Sequence, residues 1–166
     1  KLENDMNRIK MEAFDVVALA KEIAEQLEMR SMQRNIKLSV KGADSLPSPF
    51  EVMADKHFIG QVLVNLIANS IHYGKEGGST RIKFRDMGDK ILVEVEDTGV
   101  GISKEDLPRI FERFYRVDKG RSRKLGGTGL GLSIVKNAVL FHKGQISAKS
   151  QKGKGISFLF TLKKHI

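Results

Sequence analysis

The chain has 166 residues, 40% of them hydrophobic, with no cysteine and a formal net charge of +9. Its length supports one domain that buries roughly 70% of its unfolded surface. The lack of cysteine excludes disulfides, thiolate chemistry and Cys-based zinc sites, and four scattered His argue against a His cluster.

No apolar run approaches the roughly 18 to 20 residues that cross a bilayer, and no signal peptide is visible, so this piece is expected to be soluble. Lys1 stands where a start Met would be, inside a helix-like pattern, which suggests a piece of something longer. Leu2, Met6, Ile9 and Ala13 recur at helical spacing and predict the last turns of an amphipathic helix from a neighbouring domain. Asp15 is a suitable N-cap for a second helix, with the stripe Val16, Leu19, Ala20, Ile23, Ala24 and Leu27, running to about Gln33. Ile36, Leu38 and Val40 alternate as in a strand; Pro47 and Pro49 mark a turn, and a short strand is expected around Phe50 to Ala54. Asp55 can cap a third helix, which runs to about Tyr73 and is stopped by Gly74. Arg81 to Asp86 and Ile91 to Asp97 predict a hairpin. A short helix over Leu107 to Phe114 follows, then a basic loop, a helix from about Gly129 to His142, and a last hairpin of Gln145 to Ser150 and Ile156 to Leu162. Helices combined with hairpin-linked strands predict a two-layer α/β sandwich, with a mixed, mostly antiparallel sheet and the helices on one face.

Three segments carry chemistry. In the third helix, Gln61, Asn65, Asn69 and His72 stand at i, i+4, i+8 and i+11, a single narrow stripe. Water-facing stripes are normally Lys, Glu and Arg, so amides in this place look like the wall of a polar pocket. An Asn carbonyl oxygen is also a hard ligand suited to Mg²⁺. In the strand Ile91, Val93, Val95, Asp97, alternation puts Asp97 on the core-facing side. There it either caps the Asp-Thr-Gly turn or accepts a hydrogen bond from a ligand such as the exocyclic amine of adenine. Gly99 and Gly101 let backbone approach a flat ring or adopt positive φ. Gly127-Thr128-Gly129-Leu130-Gly131 opens a helix whose first amides lack intrahelical partners, an anion site in waiting. Leu132 stands where a Rossmann fingerprint needs glycine, and no Gly-Lys-Ser/Thr follows any glycine run, so two familiar phosphate motifs fail. Residues 116–166 hold 12 Lys and Arg against one Asp; the cluster Arg116, Lys119, Arg121, Arg123, Lys124 lies just ahead of the second glycine segment, where phosphates fit.

With these residues assembled, the chain resembles the catalytic, ATP-binding domain of sensor histidine kinases from two-component systems. Gln61 to Tyr73 is similar to that family's N box, Asp97 to Ile102 to its first glycine box, Phe111 to Arg116 to its F box, and Gly127 to Leu132 to its second glycine box. The resemblance covers nearly everything from Phe14 onward. It implies a Bergerat-type fold, with residues 1–13 as the end of the dimerization helix or a linker and 14–166 as the ATP-binding domain. It further implies that Asp97 binds adenine, Asn69 holds Mg²⁺, Tyr73 packs on the base and Arg116 reaches the terminal phosphates. His72, Gly99, Gly101, Ile102, Tyr115, Gly127, Thr128, Gly129, Leu130, Gly131 and Leu132 complete the nucleotide site, and the region between Val117 and Gly127 is the lid. Asn65 occupies the place where related ATPases often carry a Glu that activates water. An Asn cannot act as general base, which favours phosphate transfer to a protein over hydrolysis, with Asn65, Asn69 and Arg116 as the catalytic set.

Two departures stand out. His72 replaces the Lys or Arg frequent in the family, and none of His57, His72, His142 or His165 sits in the family's phosphoacceptor context. The expected activity is therefore transfer of the γ-phosphate of Mg-ATP to a His on a separate dimerization domain, with a response regulator downstream. The parent is expected to be a membrane-anchored sensor with this part in the cytoplasm, the fragment alone a monomer, and nucleic acid not a partner. The alternatives are an ATPase of the gyrase, mismatch-repair and chaperone kind, or a non-catalytic nucleotide- or nucleic-acid-binding module.

Overall fold

The structure is a computed structural model that describes residues 9–101, 103–111, 131–151 and 153–165. Among the described residues, three α-helices lie over one five-stranded sheet. Helix α1 spans Val16–Gln33 and starts where expected, because the Asp15 carboxylate accepts hydrogen bonds from the Val17 and Ala18 N–H groups. Helix α2 spans Lys56–Tyr73, with Asp55 accepting from the Phe58 N–H, and α3 spans Gly131–Phe141. These caps satisfy N–H groups that have no partner within the helix.

The strands are β1 (Glu12–Asp15), β2 (Lys37–Lys41), β3 (Glu51–Ala54), β4 (Ser79–Asp86), β5 (Lys90–Asp97), β6 (Ile146–Gln151) and β7 (Gly155–Lys163). The large sheet has the order β2-β4-β5-β7-β6. β2 runs parallel to β4, and every other pairing is antiparallel. Inward residues Ile82, Ile91, Val93, Val95, Phe158 and Phe160 are buried against Ile59, Leu63, Leu66 and Ile67 of α2. Each such side chain contributes about 1.5–3 kcal/mol of transfer free energy. The opposite sheet face meets solvent, and there Glu96 pairs with Arg81 at 3.2 Å and with Lys83 at 3.1 Å. The described helices thus pack on one face, as the hairpin pattern predicts.

Two local expectations differ. Ala13, assigned by its spacing to a helix, lies in β1, where it pairs with Met53 while Phe14 pairs with Val52. Pairing with a strand some 40 residues away overrides a helical period carried by few apolar residues. Leu2 and Met6 lie outside the described residues. The short helix expected from Leu107 is a 3-10 turn over Leu107–Arg109 with Pro108 near its start; proline removes one backbone donor and leaves little to propagate. The rest of that segment, from Glu112, lies outside the described residues.

His142, buried just past the end of α3, ties the helical layer together. Its Nε2 lies 2.9 Å from the Asp55 N–H and its Nδ1 2.7 Å from the Ala138 carbonyl. A backbone N–H only donates, so Nε2 is the acceptor and Nδ1 carries the proton. The same Asp55 uses its carboxylate to accept from Phe58 N at 3.0 Å and Lys10 N at 2.6 Å. The end of α3, the start of α2 and the chain ahead of β1 therefore meet at one buried residue.

Candidate functional site

Strand β5 delivers Asp97 to the end of the sheet beside the C-terminal end of α2. Alternation along β5 places it inward with Ile91, Val93 and Val95, and it is only 3% exposed. Its Oδ1 accepts from the Gly99 N–H at 2.8 Å and from the Ile156 N–H at 3.2 Å. Its Oδ2 accepts a longer bond from the Ser70 hydroxyl, at 3.4 Å, and Ser70 shares a 2.9 Å bond with the Thr80 hydroxyl. Both roles open to Asp97 are thereby separated by atom. Oδ1 caps the turn, and Oδ2 keeps acceptor capacity for a ligand donor. Burial pushes the carboxyl pKa above its ordinary value; the Gly99 and Ile156 amides and the Ser70 hydroxyl oppose that rise, and the nearby Glu96 adds to it.

The turn after β5 is pressed onto α2. A Cβ at Gly99 would sit 3.0 Å from Gly74 Cα and 3.1 Å from Asp97 Oδ1, and would collide with the Tyr73 carbonyl oxygen. Backbone cannot yield as a flexible side chain can, so glycine is required. Gly101 has φ of +74°, the left-handed conformation expected of it.

On α2, Asn65, Asn69 and His72 are half-buried, and Gln61 is exposed. The His72 and Tyr73 rings lie with centroids 4.7 Å apart. Asn65 lines a cleft of about 490 Å³ with Glu22, Gln26, Gln61 and Ile134. A Cβ at Gly131 would lie 3.7 Å from Asn65 Oδ1, so the first turn of α3 rests against the amide stripe. Leu132 packs on the core. The fold thus brings Asn65 beside Gly131 and Asp97 with Gly99 beside the end of the same helix. Ile102, Tyr115, Arg116, Gly127, Thr128, Gly129 and Leu130 lie outside the described residues, as does the region between Val117 and Gly127 expected to form a lid.

Volume alone does not locate this site. The cleft of about 640 Å³ lies at the other end of α2, between Lys10, Asp55 and His57. Among the described residues no three His, Cys, Asp or Glu gather to hold a metal. Asn65 and Asn69 offer amide oxygens from α2, donors that fit an ion held mainly by phosphates and water. Sequence reasoning missed Ser70, Thr80 and the Ile156 amide. Ser70 follows Asn69 on an otherwise apolar face, the one local signal available.

Residues 54–166 match the family model described as histidine kinase-, DNA gyrase B-, and HSP90-like ATPase. The chain is 36% identical over 152 residues to the sensor-like histidine kinase SenX3 of Mycolicibacterium smegmatis, covering 92% of this chain and 38% of that protein. It spans less than two fifths of that relative. Among solved structures it is similar to the catalytic domain of histidine kinase ThkA, with a TM-score of 0.78, 29% identity, and 93% of this chain and 96% of that one covered. It is also similar to ThkA solved in complex with the response regulator protein TrrA, with a TM-score of 0.76, 28% identity, and 95% and 42% covered.

Proposed function

We propose that this chain, which belongs to the histidine kinase-, DNA gyrase B-, and HSP90-like ATPase family, binds Mg-ATP and passes its γ-phosphate to a histidine on a separate dimerization domain. The observation that carries the reading is the divided use of Asp97, one oxygen fixed by two backbone amides and the other holding acceptor capacity beside α2. In this reading Oδ2 accepts the adenine amine and Tyr73 packs on the base. Gly99 and Gly101 admit the ring. Asn69 holds Mg²⁺, which supplies charge neutralisation along the phosphates. Gly127 to Leu132 donate backbone amides to the phosphate chain, and Ile102, His72, Tyr115 and Arg116 complete the enclosure. Catalysis is then mostly positioning and electrostatic stabilisation. Asn65, beside Gly131, has no basic lone pair with which to activate water, so the acceptor is a protein side chain.

The division between residues 1–13 and 14–166 belongs to the same proposal, and β1 runs across it. No helix among the described residues is long and apolar enough to cross a membrane. We assign this part to the cytoplasmic side of a membrane-anchored parent, monomeric by itself, with a response regulator downstream by analogy with the ThkA–TrrA pair. The test supplies γ-labelled ATP, Mg²⁺ and a separate dimerization domain. Label on the acceptor histidine is the expected result. ATP binding without transfer to the cognate acceptor would overturn the kinase reading, and acceptor-independent hydrolysis would favour the ATPase alternative.

A further inference from the structure

We propose that the outward face of the five-stranded sheet docks on a bilayer surface carrying anionic phospholipid, an interaction independent of the nucleotide site. The face collects cations from segments far apart in sequence. Lys41 of β2 stands beside Lys83 of β4, and Lys90 of β5 stands opposite Lys163 of β7. Like charges registered across strands destabilise a sheet, so fold stability does not ask for these pairs. Arg85 and Lys149 extend the same face. Among the described residues its outward acids are Glu94 and Glu96, and Glu96 is already shared between Arg81 and Lys83. Lys41, Lys90 and Lys163 have no carboxylate partner among the described residues, which leaves a strongly positive surface.

The face is five strands wide, about 20 Å at the usual strand spacing. Leu92 and Leu159 point outward from its middle, and with the half-exposed Leu140 they line one shallow depression. Apolar side chains set among lysines suit the boundary between headgroups and acyl chains. A nucleic acid is the competing polyanion, and binding of single strands relies on aromatic stacking. No outward side chain of the described sheet is aromatic, which favours the lipid surface.

The test is flotation of this chain with phosphatidylcholine vesicles and with vesicles of phosphatidylcholine mixed with phosphatidylglycerol. The unsubstituted chain should float only with the mixed vesicles, and added salt should release it. Lys41→Glu with Lys163→Glu puts a carboxylate beside Lys83 and opposite Lys90, so the fold should hold. It should lower partitioning on the order of 100-fold, with thermal midpoint and ATP affinity retained. Lys41→Arg with Lys163→Arg should keep binding. An unsubstituted chain that ignores the mixed vesicles at low salt would overturn the proposal, as would a Glu variant that binds as well as the unsubstituted chain. Tighter binding of DNA, single-stranded or duplex, through the same lysines would overturn it in favour of nucleic acid.

Discussion

Replacing Asp97 by Asn tests the adenine assignment at a single atom. The Asn side chain can keep its oxygen on the Gly99 and Ile156 amides, which now bond to Oδ1 at 2.8 and 3.2 Å. Its NH₂ then occupies the Oδ2 position, where Ser70 now donates at 3.4 Å. An acceptor becomes a donor aimed at the adenine amine, itself a donor. Losing a hydrogen bond to a charged group costs about 1.5–3 kcal/mol, or roughly a 10- to 100-fold weaker ATP affinity. Inosine triphosphate carries a carbonyl oxygen in place of the amine, so it should lose far less affinity in the variant and narrow or reverse the preference. Calorimetric titration of both nucleotides measures this. The substitution should also stabilise the free protein at neutral pH. Burial raises the Asp97 pKa in the folded state, so the folded chain binds the proton more tightly than the unfolded one. Stability from this group is then lost as pH rises from the unfolded to the folded pKa, and Asn escapes that loss. Equal losses for the two nucleotides, or none for ATP, would refute the assignment.

Removing the Ser70 hydroxyl with Ser70→Ala takes a donor from Oδ2 and should move the acid limb of ATP binding to higher pH, as measured by affinity across a pH series. Gly99→Ala forces a Cβ against the Tyr73 carbonyl and Gly74 Cα; it should cost about 1–3 kcal/mol in urea unfolding and weaken ATP binding. His142→Phe leaves the buried Asp55 N–H without its acceptor and should cost about 1–3 kcal/mol of stability with ATP affinity preserved, a split seen by comparing denaturation with titration.

What could be read from the sequence divides by range. Caps at Asp15 and Asp55, the inward placement of Asp97 and the left-handed Gly101 follow from residues within a few positions of each other. The partners that decide how Asp97 behaves do not: Ile156 is 59 residues away and reaches it only because β7 pairs with β5. Ala13 failed for the same reason, since its strand partner Met53 lies beyond any local window. Charge shows the contrast again. Read linearly, the positive charge belongs to the last 51 residues; in the sheet, Lys41 and Lys83 come from the nearly neutral part and share a face with Lys163. The sheet order is what makes both the carboxylate's environment and the cationic face, so each is a property of register that composition hides. The candidate site on one helix stripe and one strand end follows from local sequence, whereas the hydroxyls and amides around Asp97 emerge only once distant strands are paired.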